Sequence, residues 1–243
     1  MTRVSDGAIT AEIGRRIVGR AEVLSWENRR IDAAARRLHV STLGDSSVAD
    51  RRDELVRRKL ELGPDEISAR LQRDLRLSGP IAAIQARVSG RRRISRVDLM
   101  APGAGANDFV DWFRSATAES DQRTMLRACP DHFIIRSRPD GRQEVLETTG
   151  GSPFAALFMV DYSDISGLVT LPDREFEHQI AGVALDSGSR AIGGVRHQFR
   201  DTEDGMHARL TVEFPFPTLS NMISAHRWHL ACEFSNWIVD AFT

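Results

Sequence analysis

Two histidines and two glutamates carry the strongest chemical signal in this 243-residue sequence. His229 and Glu233 stand four apart in the final 26 residues, TLSNMISAHRWHLACEFSNWIVDAFT. That stretch is predicted to be one helix. Pro217 stops what precedes it, Thr218 or Ser220 can cap its first turn, and neither Gly nor Pro interrupts it. Residues four apart share a helix face, so both side chains can reach one ion. The second pair belongs to a predicted hairpin, in which Pro139-Asp140-Gly141-Arg142 separates strands at 132–137 and 143–149. A turn centred on Asp140-Gly141 sets His132 opposite Thr149 and Ile134 opposite Glu147. His132 and Glu147 are then diagonal neighbours on one face, roughly 7 Å apart at the backbone, with Glu144 on the other. Two imidazoles and two carboxylates suit Zn²⁺, and Fe²⁺ or Mn²⁺ is the alternative.

Each residue also has a plain structural use. A helical His-x-x-x-Glu is commonly a salt-linked surface pair, and a strand histidine commonly hydrogen-bonds within a core or at an edge. The elements that present the four side chains argue for the ion. At 100° per residue, the terminal helix is apolar around most of its circumference, through Ile223, Leu230, Phe234, Trp237 and Ala241 on one flank and Trp228, Ala231, Val239 and Phe242 on the other. Such a helix is buried. Its one polar stripe holds His226, His229, Glu233, Asn236 and Asp240 and contains no Lys or Arg, so it is expected to face a wet pocket. His39 lies in the N-terminal helical part, and His178, His197 and His207 lack an acid at suggestive spacing. Cys129 has the wrong parity to join His132, and Cys232 points about 100° away from Glu233.

The chain divides by charge. Residues 1–97 hold 21 Lys and Arg against 13 Asp and Glu, and residues 98–243 hold 12 against 21. The first part reads as a basic helical extension, with helices over 8–39, 48–62 and 64–75, a turn at Ser78-Gly79-Pro80, and helix resuming over 81–88. The second part reads as a helix over 107–117 followed by strands at 153–162, 167–171, 175–185, 191–199 and 206–214, then the terminal helix. This is an α+β fold of the START-like helix-grip type, a curved antiparallel sheet around a long helix with a cavity between them. No apolar run approaches the ~20 residues of a membrane span. The N-terminus has no apolar signal segment, and two cysteines suggest reduced thiols, so a cytoplasmic protein is expected.

Four segments together resemble the diacetylphloroglucinol/phloretin hydrolase family: DLMAPGAGANDFVDWF, DQRTMLRACPDHFIIR, the glutamate in VLETTGG, and HLACEFSNWIVDAF. The similarity covers roughly 98–243 and leaves out the basic extension. It implies a helix-grip fold and a divalent metal, usually zinc, held by His132, Glu147, His229 and Glu233. It also implies hydrolysis of a carbon–carbon bond between an acyl group and a phenolic or polyketide-like ring. Glu233 or Glu147 would double as the base. The family holds phenolic oxygens with tyrosine hydroxyls, and the single tyrosine here is Tyr162. Helix phase adds Trp112, His226, Trp228 and Asn236 as candidate pocket residues.

Two other functions fit parts of the sequence. A non-catalytic carrier of a hydrophobic ligand would use the same fold with the polar stripe as lining. A nucleic-acid-binding regulator would use the extension and Arg91-Arg92-Arg93, with Arg87 and Arg96 nearby. Acids interleave those helices (Asp50, Asp53, Glu54, Glu61, Asp65, Glu66, Asp74), which argues for packing or homodimer formation over phosphate binding.

Overall fold

A computed structural model describes residues 4–88 and 90–243, with the side chains of 80–83 and 85–88 excepted. Among the described residues are nine strands and six α-helices. In chain order they are β1 (Thr10–Ile13), β2 (Arg16–Gly19), α1 (Arg20–Leu38), α2 (Val48–Arg70), α3 (Gln72–Val88), β3 (Arg92–Pro102), α4 (Ala106–Ala118) and α5 (Gln122–Arg127). There follow β4 (His132–Ser137), β5 (Gln143–Glu147), β6 (Ala156–Asp161), β7 (His178–Leu185), β8 (Ala191–Thr202), β9 (Gly205–Pro215) and α6 (Ser220–Ala241). One antiparallel sheet runs in the order β2-β1-β3-β9-β8-β7-β6-β5-β4.

Strands β4 to β9 and helix α6 all contribute side chains to one cavity of about 240 Å³. Six neighbouring strands span roughly 24 Å at 4.8 Å each, so they reach so small a space only by curving round it. The main core lies between this inner face and α4 and α6, with Phe109, Phe199, Leu210, Leu230, Phe234 and Trp237 among its members. A second core forms on the outer face of β4 and β5, where Phe133, Ile134 and Leu146 meet Ile31 and Leu38 of α1, Leu55 and Ile67 of α2, and Leu71. Strand β5 is therefore covered on both sides, and all five of its residues are buried.

Several elements differ from the sequence reading. Residues 10–19 form a hairpin in place of a helix, with Ala11 and Val18 inward and Gly14 at φ +70° in the two-residue turn. Its alternation was obscured because Arg16 shares the face of Ala11 and Val18 while Ile17 is turned outward beside Glu12. The sheet crosses the 97/98 boundary, because β3 spans it and β1 pairs with β3. Trp26 and Val23 of α1 enter the main core, so the extension packs into the same body. Residues 78–80 continue α3 instead of turning, and 167–171 form no strand. Gly63 is non-helical (φ 72°) and kinks α2, with Pro64 tolerated at the first turn beyond it. The side chain of Arg87 lies outside the described residues.

Candidate metal centre and cavity

The hairpin delivers His132 and Glu147 through a register other than the expected one. Ile134 pairs with Leu146 and Ile135 with Val145, which would send Glu147 to the face opposite His132. A bulge between His132 and Ile134 takes up one residue, and His132 pairs directly with Glu147. Phe133 and Ile134 consequently both face the outer core, while Ile135 and Val145 line the cavity. From the other side, α6 brings His229 and Glu233 over the same spot.

Four side chains converge there. His132 Nε2 lies 3.2 Å from His229 Nε2. Glu147 Oε2 is 3.7 Å from each of these nitrogens. Glu233 presents Oε1 to His132 and Oε2 to His229, at 3.7 and 3.6 Å. Donors 2.0–2.2 Å from a tetrahedral ion stand roughly 3.3–3.6 Å apart, so the spacing fits a divalent cation. The imidazoles are buried, Glu147 nearly so, and the Glu233 side chain is 14% exposed.

The far nitrogen of each imidazole is also engaged. His132 Nδ1 donates to the carbonyl of Met125 (3.0 Å) on α5, a helix the sequence reading did not anticipate. His229 Nδ1 faces Asp131 Oδ2 at 3.8 Å and the Gly150 N–H at 3.3 Å. These neighbours ask for opposite tautomers. The charged carboxylate favours a protonated Nδ1, which leaves Nε2 free for an ion. Cys129 Sγ approaches on the same Nδ1 side at 3.6 Å, away from the convergence point. Burial pushes the Cys129 thiol up, so it is a neutral neighbour. Two triads bring ligand-type atoms within 4.8 Å, Cys129–His132–His229 and Glu147–His226–His229. The first uses that outer side. In the second, His226 stacks on His229 (centroids 5.3 Å apart, 11°) and its Nδ1 bonds Ser95 Oγ at 3.0 Å.

The electrostatics are those of an acid-rich site whose cation is the imidazole of His229. Burial disfavours the charged form of His229, but Glu147, Asp131 and Glu233 together hold its pKa at about 9. Burial raises Glu233 to about 8, with His229 opposing and Glu147 reinforcing the rise. Glu147 is also raised, chiefly by burial. His132 falls well below the ordinary imidazole value through burial and the adjacent His229. Asp131 is buried, yet the neighbouring His229 and the hydrogen bonds from Arg30 bring it to about 2.

Of the candidate pocket residues, His226 and Tyr162 line the cavity and three do not. Tyr162 donates to Gln143 Oε1 (3.1 Å), and burial with Glu233 and Glu147 nearby keeps its phenol protonated. Trp112 stacks on Phe109 at the rim of the core, because α4 turns its other face to the cavity. Trp228 packs against the core outside the lining. Asn236 bonds the Ala128 carbonyl (2.8 Å) and accepts from Arg20, so the stripe leaves the cavity after Glu233. The polar wall residues that the sequence did not point to include Gln143 and His197. His197 on β8 faces inward between Val195 and Phe199, burial lowers its pKa to about 3, and among the described residues its Nδ1 has no hydrogen-bond partner. The alternation Val195-x-His197-x-Phe199 was its only sequence signal.

No family model matches the sequence, and no curated protein does. Among solved structures, an uncharacterized protein from Rhizobium leguminosarum is similar at 15% identity and a TM-score of 0.34, over 60% of this chain and 95% of its own.

Proposed function

We propose that this chain is a metal-dependent hydrolase of helix-grip type that cleaves a carbon–carbon bond between an acyl group and a phenolic or polyketide-like ring. The observation that carries this reading is the convergence of His132, His229, Glu147 and Glu233 at one end of an apolar cavity. A divalent ion held there, Zn²⁺ foremost, would polarise an acyl carbonyl and acidify water. Phe158, Phe234 and Trp237 supply flat apolar walls for a ring. Tyr162, Gln143 and the neutral His197 supply the few polar contacts that orient one. Glu233 or Glu147 would double as the base that takes a proton from the attacking water and passes it to the departing ring carbon.

A carrier of neutral hydrophobic ligands would use the same walls. It would have no use for two carboxylates and two imidazoles whose free atoms converge at ion-ligand spacing. For a nucleic-acid role, much of the charge on α1 and α2 is already committed to acids of the same chain. Arg51, Arg52, Arg57, Arg58 and Arg70 pair with Asp32, Glu27, Glu54, Glu61 and Glu66.

Elemental analysis of the purified chain tests the proposal first, with about one equivalent of Zn, Fe or Mn expected. Incubation with acylated polyhydroxybenzenes, followed by mass spectrometry, is expected to give the free acid and the deacylated ring. A chain that takes up none of these metals, or that binds such compounds without cleaving any, would refute it.

A further inference from the structure

The two imidazoles are both tied to the N-terminal helices, through two different cations. Lys59 on α2 is 1% exposed, which is rare for lysine. Its ammonium donates to the carbonyls of Pro130 (2.9 Å) and His132, on either side of Asp131. A methionine would fill the same volume without the cost of burying a charge. What lysine adds is a clamp on the backbone from which His132 projects.

Arg30 on α1 grips the carboxylate of Asp131 through Nε (3.1 Å) and Nη2 (2.6 Å), and Thr148 Oγ1 donates to it at 2.6 Å. The other carboxylate oxygen faces His229 Nδ1. Gly151, at φ +91°, makes room for this arrangement, since a Cβ there would lie 2.7 Å from the guanidinium. Two helices thus direct cations onto residues 130–132, one setting the backbone of one imidazole and the other the tautomer of its partner.

We infer that Lys59 and Arg30 are positioning residues for the two histidines, so that the N-terminal helices set the metal affinity of the centre. This rests on the metal-centre reading above. Removing an outer partner of a metal-ligating histidine typically costs about 10–100-fold in affinity.

The test compares the full-length wild type with Arg30→Met, Arg30→Lys and Lys59→Met. Each is titrated with Zn²⁺ against a chromophoric chelator, and each is melted metal-free and Zn²⁺-loaded. Arg30→Met and Lys59→Met are expected to weaken Zn²⁺ binding by about 10–100-fold and to shrink the metal-induced rise in Tm, with Arg30→Lys recovering part of both. Unchanged Zn²⁺ affinity beside a general loss of Tm would overturn the inference and leave the metal centre standing. A wild type that takes up no Zn²⁺, Fe²⁺ or Mn²⁺ would overturn both. The Arg30 side chain is 19% exposed, so its variants carry the test even if Lys59→Met does not fold.

Discussion

Glu233 and Asp240 lie about two turns apart on the polar stripe of α6, and the fold partners them in opposite ways. Asp240 meets Arg127, which also bonds Asp53 at 2.7 Å, and Asn236 just before it accepts from Arg20. Glu233 meets two imidazoles and a second carboxylate, and among the described residues neither Lys nor Arg makes an ion pair with it. Glu27 on α1 sharpens the contrast, being fully buried and held at both oxygens by Arg52. For Glu27, Glu144 and Asp240 the fold supplies an arginine, and for buried Glu213 it supplies the N–H groups of Val169 and Thr170 and the Thr170 hydroxyl. At Glu147 and Glu233 it supplies imidazoles instead, and the positive charge there is the protonated ring of His229, a proton that a divalent ion would replace.

The largest expected effect of that difference is on metal content. His229→Ala and Glu233→Ala should each weaken Zn²⁺ binding by about 10³-fold or more, because a four-donor site loses one donor. Chelator competition measures this directly. Retention of near-stoichiometric metal by both variants would place the ion elsewhere and erase the contrast.

Next comes Arg52→Met, which strands the carboxylate of Glu27 in the core. Loss of one member of a buried pair costs about 3–5 kcal/mol, read as a lower denaturation midpoint with Zn²⁺ affinity unchanged. Glu233→Gln, measured on the metal-free protein, should go the other way and preserve or raise stability, since it removes a carboxylate that burial already keeps protonated up to about pH 8. A marked loss of metal-free stability in Glu233→Gln would show that Glu233 has a structural partner after all.

These contrasts were unequally legible in the sequence. The apolar circumference of α6 and the His-x-x-x-Glu spacing fixed the helix and its reactive half, because both depend on local periodicity alone. The Asp140-Gly141 turn located the hairpin. The register was off by one, and the bulge at Phe133 put His132 and Glu147 on a common face all the same. No local rule exposes such a compensation, since a bulge is settled by what packs on the two faces. Asn236 and Asp240 were assigned with the cavity-facing residues because helix phase says which side chains align, and not which neighbour meets them. Arg20 and Arg127, more than a hundred residues away in sequence, decide that. Asp131, Arg30 and His197 escaped for the same reason: each acts through a partner that only the tertiary fold brings near.

Titration offers a third test. The folded pKa of His229, about 9, lies above its unfolded value of 6.5, so its contribution to metal-free stability is complete below pH 6.5 and lost as pH rises through 9. Glu233 keeps its proton to about 8 against 4.5 unfolded, so it too favours the metal-free fold at low pH, and that advantage fades as pH climbs through 8. Zn²⁺ binding runs the other way. At pH 7 the ion displaces the protons of both groups, so affinity should rise with pH, by close to two decades per unit between about 6 and 8. In Glu233→Gln the slope should fall towards one decade. A slope near zero in the wild type would mean that the ligands are already free of protons, contrary to the partnering described.

The smallest effect is expected at the other end of the stripe. Asp240 is partly exposed, and Arg127 divides its guanidinium between Asp240 and Asp53. Solvent screens such a pair, and the second acid remains when the first is neutralised, so Asp240→Asn should cost no more than about 1 kcal/mol. Its Zn²⁺ affinity should match the wild type within the error of a chelator titration. The substitution lies about two turns beyond Glu233 on a continuous helix, so it also asks how rigidly α6 carries its ligands. If Asp240→Asn weakened Zn²⁺ binding several-fold, the arginine-held end would be setting the angle at which His229 and Glu233 enter the cavity. The two halves of the stripe would then be one device, with Arg127 as its anchor.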